Sequence, residues 1–280
     1  MKLRRLAGVI AGLAVATVSA GAEPTIRDVA YLPAERTEKL DVWLPDARVP
    51  RPLPAVLLIH GGGWRSGDKA APGYREIATE CVARGYAVFS INYRLNDSVQ
   101  EADGKVRHTR SVWPQNYEDC EAALRWVRTE GARLHQIDPN RVAVMGGSAG
   151  GQLAMLLGAQ HAVEVRAIVS LYGFGRIDRK WLAAFAGRDE TETAARAQAA
   201  SPVGYFGPTS PPLWFAHGTG DVTVPVAHAR WFASELEQRR ARYVYVEVAG
   251  APHGFFLQTA LTDIRPALFA FLERQLAPTP

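Results

Sequence analysis

Cysteine is scarce in this chain. Its 280 residues hold two, Cys81 and Cys120, which leaves room for one disulfide at most. Net charge is scarce too. The 32 lysines and arginines against 28 aspartates and glutamates become almost balanced once Lys2, Arg4 and Arg5 are set aside with the leader described next. No basic stripe then remains to hold nucleic acid or an acidic partner. Internal repeats, low-complexity tracts and long linkers are missing. The apolar run Leu6 to Val18 falls short of the roughly 20 residues that cross a bilayer.

That run has another reading. It follows the basic start MKLRR and precedes Ala20-Gly21-Ala22, an A-x-A pattern. Residues 1–22 are therefore expected to be a secretory signal peptide cleaved after Ala22, which places the mature chain in the periplasm or outside the cell with no membrane attachment. No cysteine stands near the site to carry a lipid. The whole chain is 48% hydrophobic and 21% charged, ordinary for a globular domain able to bury a core.

Strand-like and helix-like stretches alternate from there on. KLDVWLP and PAVLLIH read as strands, GYREIATECVARG as a helix ending at Gly85, and YAVFSINYRL as a strand. NYEDCEAALRWVRTEGARL reads as a long amphipathic helix. RVAVMGG, VRAIVSLYG, PLWFAHG and RYVYVEVAG continue the strands, with helices between and after them. PAVLLIH is apolar throughout, as in a strand covered on both faces. The pattern predicts an α/β fold with a mostly parallel twisted sheet and helices on both faces. The two cysteines then fall on helices of opposite faces, and two buried thiols are expected rather than a bridge. One domain is predicted over 23–280, interrupted by a short cap-like insert at 174–211. In such sheets, active groups gather at the carboxyl ends of the strands.

Ser148 stands at such an end. Gly146-Gly147-Ser148-Ala149-Gly150 fits G-x-S-x-G between the strand RVAVM and the helix QLAMLL. This is the pattern of a nucleophile elbow, a sharp turn that lifts a serine hydroxyl above the sheet. Alone it is ambiguous, because Gly-rich turns at this place also bind phosphate or merely pack tightly. A second loop, His60-Gly61-Gly62-Gly63-Trp64, follows the strand AVLLI. It offers amide hydrogens to a developing oxyanion, with Gly62, Gly63 and Ala149 as donors. His60 is expected to brace this loop and Trp64 to wall the pocket.

A serine needs a base, and the base needs an acid to fix its tautomer. In this fold the chain order is serine, acid, histidine. Of the seven histidines, His228 and His253 follow the best acid, and His253, in a loop after the last strand, is the expected base. Asp221, just beyond PLWFAHG, is the expected acid. Asp178 is its rival, whereas Glu247 lies within a strand pattern and would point into the sheet packing.

The motifs HGGGWRSGDK, NYRL, DPNRVAVMGGSAGGQLA, HGTGDVTVP and HGFF resemble those of the α/β-hydrolase superfamily. The closer likeness is to the hormone-sensitive-lipase-like carboxylesterases and the bifunctional feruloyl and acetyl xylan esterases. The likeness implies acyl transfer through Ser148, with no metal or organic cofactor. It implies small acyl esters, acetyl or feruloyl, free or linked to carbohydrate, as substrates of a monomer or homodimer. An arylformamidase or a peptidase-like amide hydrolase uses the same parts. A binding module that has lost catalysis would need a broken triad, and this one is intact. Relatives with a cap carry a larger amino-terminal lid, so the insert, with Trp181, Phe185, Tyr205 and Phe206, must supply much of the acyl pocket. Trp64, Tyr205 and Phe206 are the expected substrate contacts.

Overall fold

The computed structural model describes residues 21–101 and 106–278. The expected leader lies outside them except for Gly21 and Ala22. Ala22 N–H donates to Thr79 Oγ1 at 2.8 Å, and its carbonyl accepts from Trp43 Nε1 at 3.1 Å.

Eight strands form one sheet: β1 (Ile26–Val29), β2 (Leu40–Trp43), β3 (Leu53–Ile59), β4 (Ala87–Ile91), β7 (Ile137–Gly147), β8 (Ala167–Leu171), β9 (Leu213–Gly218) and β10 (Tyr243–Val248). Their order is β1-β2-β4-β3-β7-β8-β9-β10. β1 pairs antiparallel with β2, and β2 antiparallel with β4; every other pair is parallel. Two further strands, β5 (Asp97–Gln100) and β6 (Val106–Arg110), make a separate antiparallel hairpin.

The central strands are buried on both faces because their residues alternate between two cores. Leu57 and Ile59 of β3 face one core, with Cys120 of α2 (Gln115–Trp126), Leu153 and Leu157 of α4 (Ala149–Gln160) and Phe232 of α6 (Val226–Gln238). Val56 and Leu58 face the other, with Cys81 of α1 (Pro72–Val82) and Leu272 of α7 (Arg265–Leu276). The cysteines thus sit on opposite faces as free, buried thiols. Burial pushes the Cys81 thiol up to about 12. Among the described residues no helix is long and apolar enough to cross a membrane.

The long helix that the sequence suggests is helical throughout but not α throughout, and α2 gives only its first part. It passes through a π-helical turn at Val127–Gly131 into the short α3 (Ala132–His135), where Gln136 closes it in the left-handed conformation. β10 is an edge strand, so Glu247 is exposed rather than turned into the sheet packing, and it pairs with Arg230 at 2.8 Å.

Between β8 and β9 the insert folds as a 3₁₀ turn (Arg179–Phe185), α5 (Glu190–Ala199) and a second 3₁₀ turn (Pro202–Tyr205). Asp178 and Asp189 cap the first turn and α5 by accepting backbone N–H bonds.

Candidate active site

Ser148 sits between β7 and α4 with φ 55° and ψ −123°. This is a conformation that non-glycine residues avoid, sustained only because the surroundings hold it. Its N–H donates to Leu171 O at 2.9 Å and its carbonyl accepts from Gln152 N at 3.0 Å. The turn presses against the end of β3. A methyl group on Gly150 would lie 2.1 Å from Ile59 O, so only glycine fits there. Every residue of α4 from Ala149 to Ala159 is buried, as expected of a helix apolar on all sides. Burying each of Leu153, Leu156 and Leu157 is worth roughly 1.5–3 kcal/mol. The serine is therefore carried at the amino end of a rigid buried element, where the helix dipole favours negative charge.

His253 Nε2 lies 2.8 Å from Ser148 Oγ, and its Nδ1 lies 2.7 Å from Asp221 Oδ2. A carboxylate only accepts, so Nδ1 carries the proton and Nε2 is left to accept from the serine hydroxyl. The Asp221 side chain is fully buried. Its Oδ1 accepts the N–H groups of Thr223 at 2.9 Å and Val224 at 2.8 Å. The loops bearing the acid and the histidine are laced together. Gly220 N–H donates to Ala251 O at 3.1 Å, and Gly250 N–H to Thr219 Oγ1 at 2.8 Å. Tyr172 meets the His253 ring edge-on at 5.1 Å.

The loop after β3 comes alongside the elbow. A methyl on Gly61 would stand 3.1 Å from Ser148 Cβ, and Gly61 N–H donates to Tyr74 Oη at 2.5 Å. Gly62 has φ +112°, open to glycine alone, and its carbonyl accepts from the N–H groups of Arg65 and Ser66 at 3.2 and 3.1 Å. The N–H groups of Gly62 and Gly63 have no acceptor among the described residues. That of Ala149, in the first turn of α4, has no intrahelical partner. His60 braces this loop. It is fully buried, its Nδ1 is 2.7 Å from Gly61 O, and it stacks on Tyr93 at 4.5 Å. Burial lowers its pKa, so it is neutral.

The three expected substrate contacts are placed elsewhere and need correction. Trp64 is wholly buried: it packs on Phe174 and Phe185 at 5.3 and 4.9 Å, and its Nε1 donates to Gln152 Oε1 at 3.0 Å. Phe206 is buried against Phe232 at 5.8 Å. Tyr205 lines a groove with Gln160 and Tyr117. That groove is at the far end of α4, about 18 Å from Ser148 by the rise of the helix. Phe185 is core as well. Of the insert's aromatic residues, Trp181 is the half-buried one beside Trp64, at 6.1 Å. The rival acid Asp178 lies instead 3.9 Å from His228 Nδ1 and caps the 3₁₀ turn.

One residue passed over for its chain position belongs to this cluster. His217 Nε2 lies 2.7 Å from Val224 O and 3.2 Å from Asp221 Oδ2, with the ring and the carboxylate both out of solvent. Burial lowers its pKa despite these two neighbours; Nε2 donates to Val224 O, with the Asp221 carboxylate alongside. Only the HG that ends β9, four residues before the acid, signals it in the sequence.

The BD-FAE family matches residues 40–236. Esterase LipC of Mycobacterium tuberculosis is 31% identical over 78% of this chain and 57% of its own length. Esterase LipQ of the same organism is 29% identical over 82% and 57%. The chain thus spans a little over half the length of these curated relatives. The thermophilic esterase Est2 of Thermogutta terrifontis superposes with a TM-score of 0.70, at 27% identity over 92% of this chain and 95% of that one. A truncated carbohydrate esterase from gut microbiota superposes at 0.77, covering 93% and 100%; at 22% identity it speaks for the fold alone. With the sheet order, the elbow and a family match across most of its length, this chain has the α/β-hydrolase fold and belongs to the BD-FAE family.

Proposed function

We propose that this chain is a serine carboxylesterase that hydrolyses small acyl esters, of acetyl or feruloyl type, through Ser148, His253 and Asp221. One observation carries the reading: a single imidazole bridges a buried carboxylate and a strained serine. His253 takes the hydroxyl proton as Ser148 Oγ attacks the ester carbonyl, and Asp221 stabilises the imidazolium that forms. The oxyanion falls to the N–H groups of Gly62, Gly63 and Ala149. Collapse expels the alcohol, which takes its proton from His253, and leaves an acyl group on Ser148. Water activated by the same imidazole then releases the acid.

The relatives support the chemistry and its scale. LipC, LipQ and Est2 bear the name esterase, and Est2 has been solved with propionate and with butyrate bound. Export to the periplasm or beyond forms part of the same proposal and is supported by the leader-like residues 1–22. Amino-terminal sequencing of the secreted or periplasmic protein tests that part.

The test of activity is hydrolysis of 4-nitrophenyl acetate, methyl ferulate, formylkynurenine and a prolyl amide. Turnover of an ester that falls by at least about 10³-fold in Ser148→Ala is expected. Preference for an amide, or parental ester turnover in that variant, overturns the reading.

A further inference from the structure

Arg65 is the second residue after the oxyanion-loop glycines. Its backbone is fixed by the N–H bond to Gly62 O, and its side chain folds back over the loop. A methyl group built on Gly63 would meet Arg65 Nη1 at 2.9 Å and Cζ at 3.8 Å. Bond geometry then puts the guanidinium carbon within roughly 6 Å of the Gly63 amide nitrogen. The glycine leaves the space that this guanidinium occupies.

Arg65 is half-buried, and its guanidinium has no hydrogen bond or ion pair among the described residues. Its neighbours are differently placed. Arg107 and Arg110 on the β5–β6 hairpin pair with Glu101 and Asp97, each at 2.7 Å. Asp68, the acid nearest in sequence, is engaged by Asn92 Nδ2 at 2.9 Å and Ala70 N–H at 2.7 Å. The group facing Arg65 from the hairpin is His108, half-buried and held below its ordinary pKa by burial and then by the Arg65 charge. This corner therefore holds a fixed positive charge, a neutral imidazole and, among the described residues, no counter-ion. A partly desolvated cation without an acceptor is costly, and a planar fork of donors matches a carboxylate.

We propose that Arg65 recognises a carboxylate carried by the substrate, so that the preferred esters are acidic ones with the anion a few bonds from the scissile carbonyl. This rests on the esterase reading and narrows it. The carboxylate belongs either to the acyl group or to the alcohol, and two matched pairs of esters separate the cases. One pair is 4-nitrophenyl hemisuccinate against 4-nitrophenyl butyrate; the other is 4-acetoxybenzoate against 4-acetoxybenzamide.

For the parent protein, after subtraction of the enzyme-free rate, kcat/KM for the acidic member of one pair is expected to exceed its neutral partner by about tenfold or more. Arg65→Gln collapses that ratio. Arg65→Lys, which keeps the charge and loses the fork, retains a smaller preference and stands in if the glutamine variant does not fold. Arg125→Gln, on an exposed position of α2, leaves the ratio intact. Added salt shrinks the preference. Equal rates within both pairs, or a preference that survives Arg65→Gln, overturn the proposal while the esterase reading stands. Failure to cleave any of the four esters overturns this proposal, and the esterase reading falls with it when 4-nitrophenyl acetate and methyl ferulate are also left intact.

Discussion

His217 Nε2 and Asp221 Oδ2 lie 3.2 Å apart, and that oxygen is the one His253 also addresses. The buried imidazole therefore packs against the carboxylate that His253 also contacts. His217→Leu removes the donor and leaves Val224 O without its partner, an unsatisfied buried group worth about 1–3 kcal/mol. Ester kinetics of this variant are expected to show kcat down about tenfold with KM little changed, together with a lower thermal midpoint. His217→Gln, which keeps an N–H, recovers part of both.

Asp221 and Asp178 separate cleanly by substitution. Asp221→Asn loses the acceptor that sets the His253 tautomer, and turnover falls by a factor on the order of 10²–10⁴. Asp178→Asn touches the cap of a 3₁₀ turn and the ion contact with His228, both away from the serine, and leaves ester turnover near parental. Steady-state rates on one neutral ester decide it; the reverse ranking would make Asp178 the acid.

Lys69, from the HGGGWRSGDK motif, is held between Asp28 at 2.9 Å and Asp41 at 3.0 Å, and Asp41 is 1% exposed. Removing one partner strands a buried charge. Lys69→Met is expected to lower unfolding stability in urea by about 3–5 kcal/mol. Asp41→Asn added to it restores part of the loss.

His228 supplies a pH dependence of stability. Burial, partly offset by Asp178, lowers its pKa from 6.5 to about 4. Above pH 6.5 the ring is neutral whether folded or not, and it contributes nothing. Below that, the unfolded chain binds the proton and the folded one does not, so stability falls as pH drops toward 4, by up to about 3 kcal/mol. Urea midpoints measured at pH 7 and pH 4.5 should converge in His228→Phe relative to the parent.

Much of this was legible because the chemistry is carried by short contiguous motifs. The elbow, the glycine loop and the loops bearing Asp221 and His253 each follow a strand whose apolar run is unmistakable. The substrate contacts were not legible. Trp64 and Phe206 are large and apolar, and sequence alone does not say whether such a residue lines a cleft or fills the core beneath it. Tyr205 is near Ser148 in no sense that chain position reveals, since it depends on which end of α4 the insert returns to. The β5–β6 hairpin escaped because DSVQ and VRHTR carry no apolar alternation; all four residues of DSVQ are exposed. His217 escaped because the order serine, acid, histidine finds the base and is silent on what holds the acid.

The buried side chain of Asn96 has a wider effect. Its backbone N–H donates to Trp64 O at 2.7 Å, its Nδ2 to Ala184 O at 3.0 Å, and its Oδ1 accepts from Val112 N at 2.8 Å. Lys180 Nζ adds a bond to Thr223 O at 2.7 Å, and Gln152 Nε2 one to Ala200 O at 2.6 Å. The segment between β8 and β9 is thus a roof tied at several places to its surroundings. Such a roof does not wait for an oil droplet to lift it: turnover would climb smoothly with dissolved ester, with no jump where the ester begins to separate from water.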